Sequence, residues 1–140
     1  LTFLFFFFFC LDVVSLFPPT YKGRENGCRI DLAEKLEAIS PAFVRFPGGC
    51  YVEGQWANDK TNRFEWKNTI GPIEERPGHR NINWNYNVSD GFGFHEMLQL
   101  TEDLGAEPLF VVNMGMGHGW VVNYNDIGEY IQEALDALEY

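Results

Sequence analysis

The sequence predicts an α/β protein, specifically a partial (β/α)8 TIM barrel of about two to three βα units, and three observations carry that prediction. Short apolar runs of strand length alternate with stretches of helical periodicity. The joins from helix to strand are short (Ser40-Pro41 and Gly105-Ala106-Glu107), whereas those from strand to helix are long. A compact apolar strand ends in Arg45-Phe46, immediately before Pro47-Gly48-Gly49 and a long aromatic loop. In a barrel the loops after the strands build the active site and the opposite face is structural. Two or three units cannot close a barrel, so a fragment of one is expected.

The chain opens on LTFLFFFFFC, which resembles the apolar core of a signal peptide but has no initiator Met, basic n-region or small-residue cleavage site. Through Leu11 the run is too short to span a bilayer of roughly 30 Å as a helix. Residues 1–10 are therefore set apart: a buried strand, an unreliable chain start or a signal remnant. After Asp12, VVSLF reads as a short strand, closed by Pro18-Pro19 and the turn at Tyr21-Lys22-Gly23.

A first helix is predicted around Arg29 to Ser40, with Leu32, Leu36 and Ile39 as its apolar stripe and Pro41 as its stop. Ala42 to Phe46 form the next strand. From Cys50 to about Asp90 there is little regular pattern, yet this stretch holds Trp56, Trp66 and Trp84, three of the four tryptophans. A loop so long and so aromatic is expected to be functional rather than disordered. The second helix starts near Ser89-Asp90, carries Phe94, Met97, Leu98 and Leu104 inward, and stops at Gly105. Pro108 to Asn113 are a strand, followed by the turn GMGHG at 115–119. In the last helix Asp126 and Glu129 have the spacing of a capping box, and Ile127, Ile131, Leu135 and Leu138 form the stripe.

Composition narrows the function. The formal net charge of −10, from 20 acidic and 10 basic residues, repels phosphate backbones and argues against nucleic acid. A neutral ligand such as a sugar is compatible with it. Cys10, Cys28 and Cys50 lack the paired spacing of a zinc site, and His79, His95 and His118 are too scattered to complete one. No metal or other cofactor is expected. One disulfide plus a free thiol stays open as an arrangement, with Cys50 expected to be reduced.

Arg45, at the C-terminal end of a buried strand, must either pair with a loop carboxylate or point into a polar site. Cys50 would face the same region, or be a small buried thiol. Trp84 and Tyr86 are candidates for stacking on the apolar C–H face of a sugar, although most of the eight aromatics from Tyr51 to Phe94 are expected to pack the loop. Asn113 ends a strand where barrels place polar contacts, and it equally suits a turn. GMGHG is a weak match to a phosphate-binding loop, because residues 120–125 separate it from the following helix. Among the acids, Glu53, Glu65, Glu74, Glu75 and Glu96 do not directly follow a predicted strand, and none is assigned a catalytic role. Glu74-Glu75 beside Arg76 reads as a loop ion pair.

Three stretches, DVVSLFPPTYKGRENGCRIDLAEKLEAISPAFVRFPGGCYVEG, FEWKNTIGPIEERPGH and SDGFGFHEMLQLTEDLGAEPLFVVN, resemble glycoside hydrolase family 51, the α-L-arabinofuranosidases, over roughly residues 11 to 140. RFPGGCYVEG and IGP…ERPGH are the most specific segments, and the group that includes plant cell-wall enzymes is the most similar. The resemblance implies a (β/α)8 barrel plus a β-sandwich, with VVSLF then the last strand of a sandwich module preceding the barrel. It implies retaining hydrolysis of terminal arabinofuranosyl residues of arabinan or arabinoxylan. Arg45 and Cys50 match positions lining the glycone pocket, although other members carry Asn in place of Cys50, and Trp84 matches an aromatic wall. The acid/base and nucleophile glutamates, after the fourth and seventh barrel strands, are expected beyond Tyr140, and a further sugar-binding glutamate before Leu1.

Residues 11–140 are thus expected to be the N-terminal part of a catalytic barrel, inactive alone. Its implied partners are arabinose-containing polysaccharides or oligosaccharides, with no membrane and an open oligomeric state. Asn87-Val88-Ser89 is a glycosylation sequon usable if the chain is exported, as polysaccharide substrates imply. Two alternatives remain, a noncatalytic carbohydrate-binding module and a nucleotide-binding α/β protein.

Overall fold

A parallel pair of short strands lies at the centre of the chain, and everything else is arranged around its two ends. The structure, a computed structural model, describes residues 14–56 and 59–140, so the apolar stretch 1–10 lies outside it. Strand β1 (Phe43–Phe46) pairs in parallel with β2 (Glu107–Phe110), in the register Phe43 to Glu107 through Phe46 to Phe110. Each is preceded by a ten-residue helix, α1 (Ile30–Ile39) or α3 (Phe94–Asp103); the five-residue α2 (Gly49–Glu53) follows β1, and α4 (Gly128–Glu139) ends the chain. The alternation and the short returns expected from the sequence are therefore present.

Those returns are short because they are pinned. Ser40 ends α1 in a left-handed conformation (φ 51°) with its N–H on the Glu37 carbonyl at 2.8 Å. Gly105 does the same for α3 (φ 66°), its N–H reaching the Glu102 carbonyl at 3.0 Å while Ala106 reaches Thr101.

The core is aromatic. Phe46, Phe64, Trp66 and Phe94 are buried together, with Phe110, Met97, Leu98 and Ala137 packed against them. Phe94 is 4.5 Å, centroid to centroid, from Phe110 and 5.0 Å from Trp66. The long loop supplies two of these residues, because residues 59–75 fold back under the sheet through three short 3-10 turns at Lys60–Asn62, Trp66–Thr69 and Ile73–Glu75. Of the eight aromatics from Tyr51 to Phe94, four pack inward, whereas Trp56, Trp84, Tyr86 and Phe92 are exposed. That is fewer packed residues than expected.

Several expectations are corrected. Residues 14–17 of the predicted VVSLF strand have no strand partner among the described residues, and Leu16 is 97% exposed. Pro18 and Pro19 offer no N–H to a ladder, and the first pairing is the bridge between Thr20 and Arg29. The apolar stripes of the two outer helices are exposed: Leu32, Leu36 and Ile39 on α1, and Ile131, Leu135 and Leu138 on α4. The inward face of α4 instead presents Tyr130, Glu133, Ala134 and Ala137, the last against the aromatic core. The capping box of that helix does not form, because Asp126 lies in a separate 3-10 turn and Glu129 pairs with Lys60. Arg76 pairs with Glu96 rather than with Glu74 or Glu75.

The start of α3 is also displaced from Ser89-Asp90 to Gly93. The N–H of Gly93 donates to the Glu96 carboxylate at 2.8 Å, and that of Phe94 to Thr69 Oγ1 at 2.9 Å. A Cβ on Gly93 would lie 2.1 Å from the Thr69 carbonyl oxygen, so the helix cap is split between a bare backbone and a hydroxyl from the loop. Thr69 is fully buried and also donates to the Trp66 carbonyl at 2.8 Å. Thr69→Val, which keeps the shape and removes the hydroxyl, is expected to destabilise the protein by about 1–2 kcal/mol. Thr69→Ser should stay close to the parent, and urea unfolding midpoints of the two variants provide the check.

Candidate functional site

Four of the residues singled out from the sequence lie at or beyond the C-terminal ends of β1 and β2. A cis Phe46–Pro47 bond and Gly48 (φ 108°) turn the chain from β1 into α2. A Cβ at Gly48 would stand 3.2 Å from Arg45 Nη1, so glycine lets the guanidinium lie across the turn. Arg45 is exposed and makes no ion pair among the described residues. Cys50, in the first turn of α2, is half-buried and carries a free thiol, as does Cys28; Cys10 lies outside the described residues.

The main-chain oxygens of α2 and of the two residues after it organise the surroundings. The carbonyl of Cys50 accepts from Asn83 Nδ2 at 2.8 Å. That contact ties down the tip of an antiparallel hairpin, β3 (His79–Asn81) and β4 (Tyr86–Val88), on which Trp84 is 56% exposed. The carbonyl of Val52 accepts from Asn113 Nδ2 at 2.9 Å, while Asn113 Oδ1 accepts from the N–H groups of Gly115 and Met116. Asn113 therefore acts as a turn residue and strut together, with three hydrogen bonds on one amide. The GMGHG turn is a small hairpin, β5 (Met116–Gly117) with β6 (Trp120–Val121). It docks on α2 through His118 N–H to the Gly54 carbonyl and Gly119 N–H to that of Gln55. Its backbone amides are thus engaged with protein, unlike a loop that cradles phosphate.

Arg45, Cys50, the Trp84 hairpin and Asn113 thus converge on one end of the sheet. Tyr86 is exposed on β4, its hydroxyl accepting from Asn81 Nδ2 at 3.4 Å. Asn87 is exposed on the same strand, its side-chain oxygen accepting from Arg80 at 3.2 Å. The sequence reading overlooked Asn81 and Asn83, which hold the hairpin. A signal was present: asparagines at 81, 83, 85 and 87 alternate with Ile82, Trp84 and Tyr86, the period of two that marks a hairpin. Among the described residues no group of three or more His, Cys, Asp or Glu could hold a metal ion, and no helix is long and apolar enough to cross a membrane.

The acids near this end are tied into structure. Arg63, 2% exposed, pairs with Glu65 and donates to the Tyr130 hydroxyl at 2.8 Å, with its guanidinium over the Tyr130 ring. Glu133 joins this group from α4. Burial, and then the hydrogen bond and charge of Glu65, push the Glu133 carboxyl up to about 7 against the opposing pull of Arg63 and Lys60. Glu96 goes the other way: burial raises it, but hydrogen bonds from Arg76, Asn26 and the Gly93 N–H outweigh that and leave it lowered. Glu53 lies 3.9 Å from His118 on the exposed rim.

The known proteins to which this chain is similar are named as arabinofuranosidases. Residues 35–140 match the family model described as the alpha-L-arabinofuranosidase 1 domain. Alpha-L-arabinofuranosidase 1 of Arabidopsis thaliana is 47% identical over 131 residues, covering 93% of this chain and 19% of that protein. The extracellular exo-alpha-L-arabinofuranosidase of Streptomyces chartreusis is 43% identical over 143 residues, covering 93% and 17%. The structure of arabinose-bound MgGH51 α-L-arabinofuranosidase superposes with a TM-score of 0.79 at 42% identity, over 88% of this chain and 19% of that one. An arabinose complex of the Thermotoga maritima enzyme gives 0.63 at 29% identity, over 88% and 20%. The chain spans about a fifth of the length of the curated relatives it matches.

The Glu133 environment has a consequence for stability. A carboxyl raised in the folded state binds more protons there than in the unfolded chain, so its contribution to stability falls as pH rises from the ordinary glutamate range toward about 7, and is constant above that. Glu133→Gln is expected to leave stability nearly unchanged at pH 5 and to raise it at pH 8. Urea midpoints of parent and variant at the two pH values measure this; an equal offset at both would contradict it.

Proposed function

The chain belongs to the alpha-L-arabinofuranosidase 1 domain family, and on that premise we propose that it is part of a retaining α-L-arabinofuranosidase that removes terminal non-reducing arabinofuranosyl residues from arabinan or arabinoxylan. The observation that carries this reading is the convergence of Arg45, Cys50, the Trp84 hairpin and Asn113 beyond the C-terminal ends of two parallel strands. Two solved relatives contain arabinose, which supports a sugar at such a site. In this reading residues 11–140 are the N-terminal part of a (β/α)8 catalytic barrel. The open outer edges of β1 and β2 and the exposed apolar stripes of α1 and α4 support that, since neighbouring βα units would cover both.

The proposed division of labour follows from side-chain chemistry. Arg45 offers a planar fork of N–H donors to sugar hydroxyl oxygens, with no ion-pair partner among the described residues. Trp84 offers a rigid, half-exposed ring to an apolar C–H face. Cys50 contributes a small, weakly polar wall, and Asn113 fixes α2, on which Cys50 sits. These residues bind and orient; Glu65 and Glu96 are committed to Arg63 and Arg76, and Glu53 lies beside His118. Export to a cell-wall or extracellular setting is proposed, with Asn87 as its glycosylation site, and the extracellular Streptomyces relative supports it.

Two outcomes follow. The 140-residue chain alone should not turn over an aryl α-L-arabinofuranoside, and appreciable release of the phenol would contradict that. In the full-length protein, Trp84→Ala should lower kcat/KM about tenfold or more; an unchanged value would remove Trp84 from the pocket.

A further inference from the structure

His79 and Asp90 bracket the hairpin that carries Trp84. His79 is the first residue of β3 and pairs with Val88 across the ladder; Asp90 lies two residues beyond Val88, so the two close the hairpin at its base. His79 Nδ1 donates to Asp90 Oδ2 at 2.9 Å, and the two side chains are 4% and 3% exposed. The His79 ring also meets the Tyr51 ring edge-on at 5.3 Å between centroids, and Tyr51 adjoins Cys50 on α2. Asp90 is held in a left-handed conformation (φ 56°), which a non-glycine residue adopts at a cost unless its surroundings hold it there. Arg76 contributes to that hold by donating to the Asp90 carbonyl at 2.9 Å. At the far end, Asn83 holds the Cys50 carbonyl. The hairpin is therefore fixed to α2 at both its tip and its base.

Stability alone accounts poorly for the pair. Among the described residues His79 Nε2 and Asp90 Oδ1 are buried without a hydrogen-bond partner, so the protein itself pairs one polar atom of each side chain. Buried polar groups satisfied only in part contribute less than apolar packing of the same volume; what they supply is a single geometry. We propose that His79 and Asp90 are positioning residues for sugar binding: their contact, with the His79–Tyr51 stack, sets where Trp84 stands relative to Cys50. The proposal rests on the reading of Trp84 as a pocket wall.

Steady-state kinetics of the full-length protein on an aryl α-L-arabinofuranoside provide the test. Asp90→Ala is expected to raise KM about tenfold while kcat stays within about threefold, because a displaced wall weakens binding before it affects chemistry. Asp90→Asn keeps an oxygen to accept from His79 Nδ1 and should return KM to within about threefold of the parent. In a Trp84→Ala background Asp90→Ala should add less than about twofold, since the side chain it places is already gone. Additive effects in that double variant, or Asp90→Asn as impaired as Asp90→Ala, would overturn the proposal. Should Asp90→Ala not fold, Asp90→Glu keeps charge and acceptor on a side chain one methylene longer; a raised KM supports the proposal, and a parental one overturns it. A parental KM for the Asp90 variants with a raised KM for Trp84→Ala sinks the positioning role alone. A parental kcat/KM for Trp84→Ala sinks the pocket reading with it.

Discussion

The contact on which the structure most depends is that of Phe94 with Phe110 on one side and Trp66 on the other. Phe94 opens α3, Phe110 ends β2 and Trp66 comes from the long loop, so one buried ring joins three parts of the chain that are distant in sequence. Fully burying such side chains contributes on the order of 1.5–3 kcal/mol each, and well-oriented aromatic pairs roughly another 0.5–1.5 kcal/mol. The position of Phe94 also explains the split cap of α3. Trp66 and Thr69 lie in one 3-10 turn, and with the ring seated against Phe94, the Thr69 hydroxyl reaches the Phe94 N–H.

Around this apolar centre the loop is held by buried polar contacts. Arg63 with Glu65 and Tyr130, and Glu96 with Arg76 and Asn26, bridge segments that have no sheet or helix in common, while His79 with Asp90 closes the base of the β3–β4 hairpin. Taking charges out of water costs several kcal/mol before pairing returns it, so such contacts specify geometry more than they add stability. That suits the proposed role of the segment, which is to present Trp84 and Cys50 in fixed places. A loop of this length without such struts would have to rely on its few buried aromatics alone.

How far this was legible in the sequence depends on how local the governing physics is. The strand at 43–46, the helix at 30–39, the glycine stop at 105 and the long aromatic loop follow from periodicity, turn chemistry and composition, all of them near-neighbour properties. Arg45, Cys50, Trp84 and Asn113 were legible as candidates because they follow strand ends or stand out as aromatics. The cap of α3 was not, because Ser89 and Asp90 have the right chemistry locally, while the hydroxyl used comes from Thr69, more than twenty residues back. Asp90 is occupied instead by His79, a pairing that needs the hairpin to form first. The faces of α1 and α4 were misjudged for a related reason: periodicity finds an apolar stripe but not what it packs against.

The asymmetry between the two ends of the sheet follows from the same constraints. At the end where α1 and α3 return to the strands, left-handed Ser40 and Gly105 and the bond from Glu107 N–H to the Ala42 carbonyl close each return within three residues. Backbone so fully committed has neither length nor free polar groups with which to build a pocket. At the other end, residues 47–93 intervene before α3, anchored at Phe64 and Trp66 in the core and at Asn83 on α2. Between those anchors the chain can expose large side chains without losing its fold, and Trp84 is exposed there. The proposed sugar wall lies at this end, and Trp84 owes its position in it to Asn83 on the Cys50 carbonyl and to the contact of His79 with Asp90.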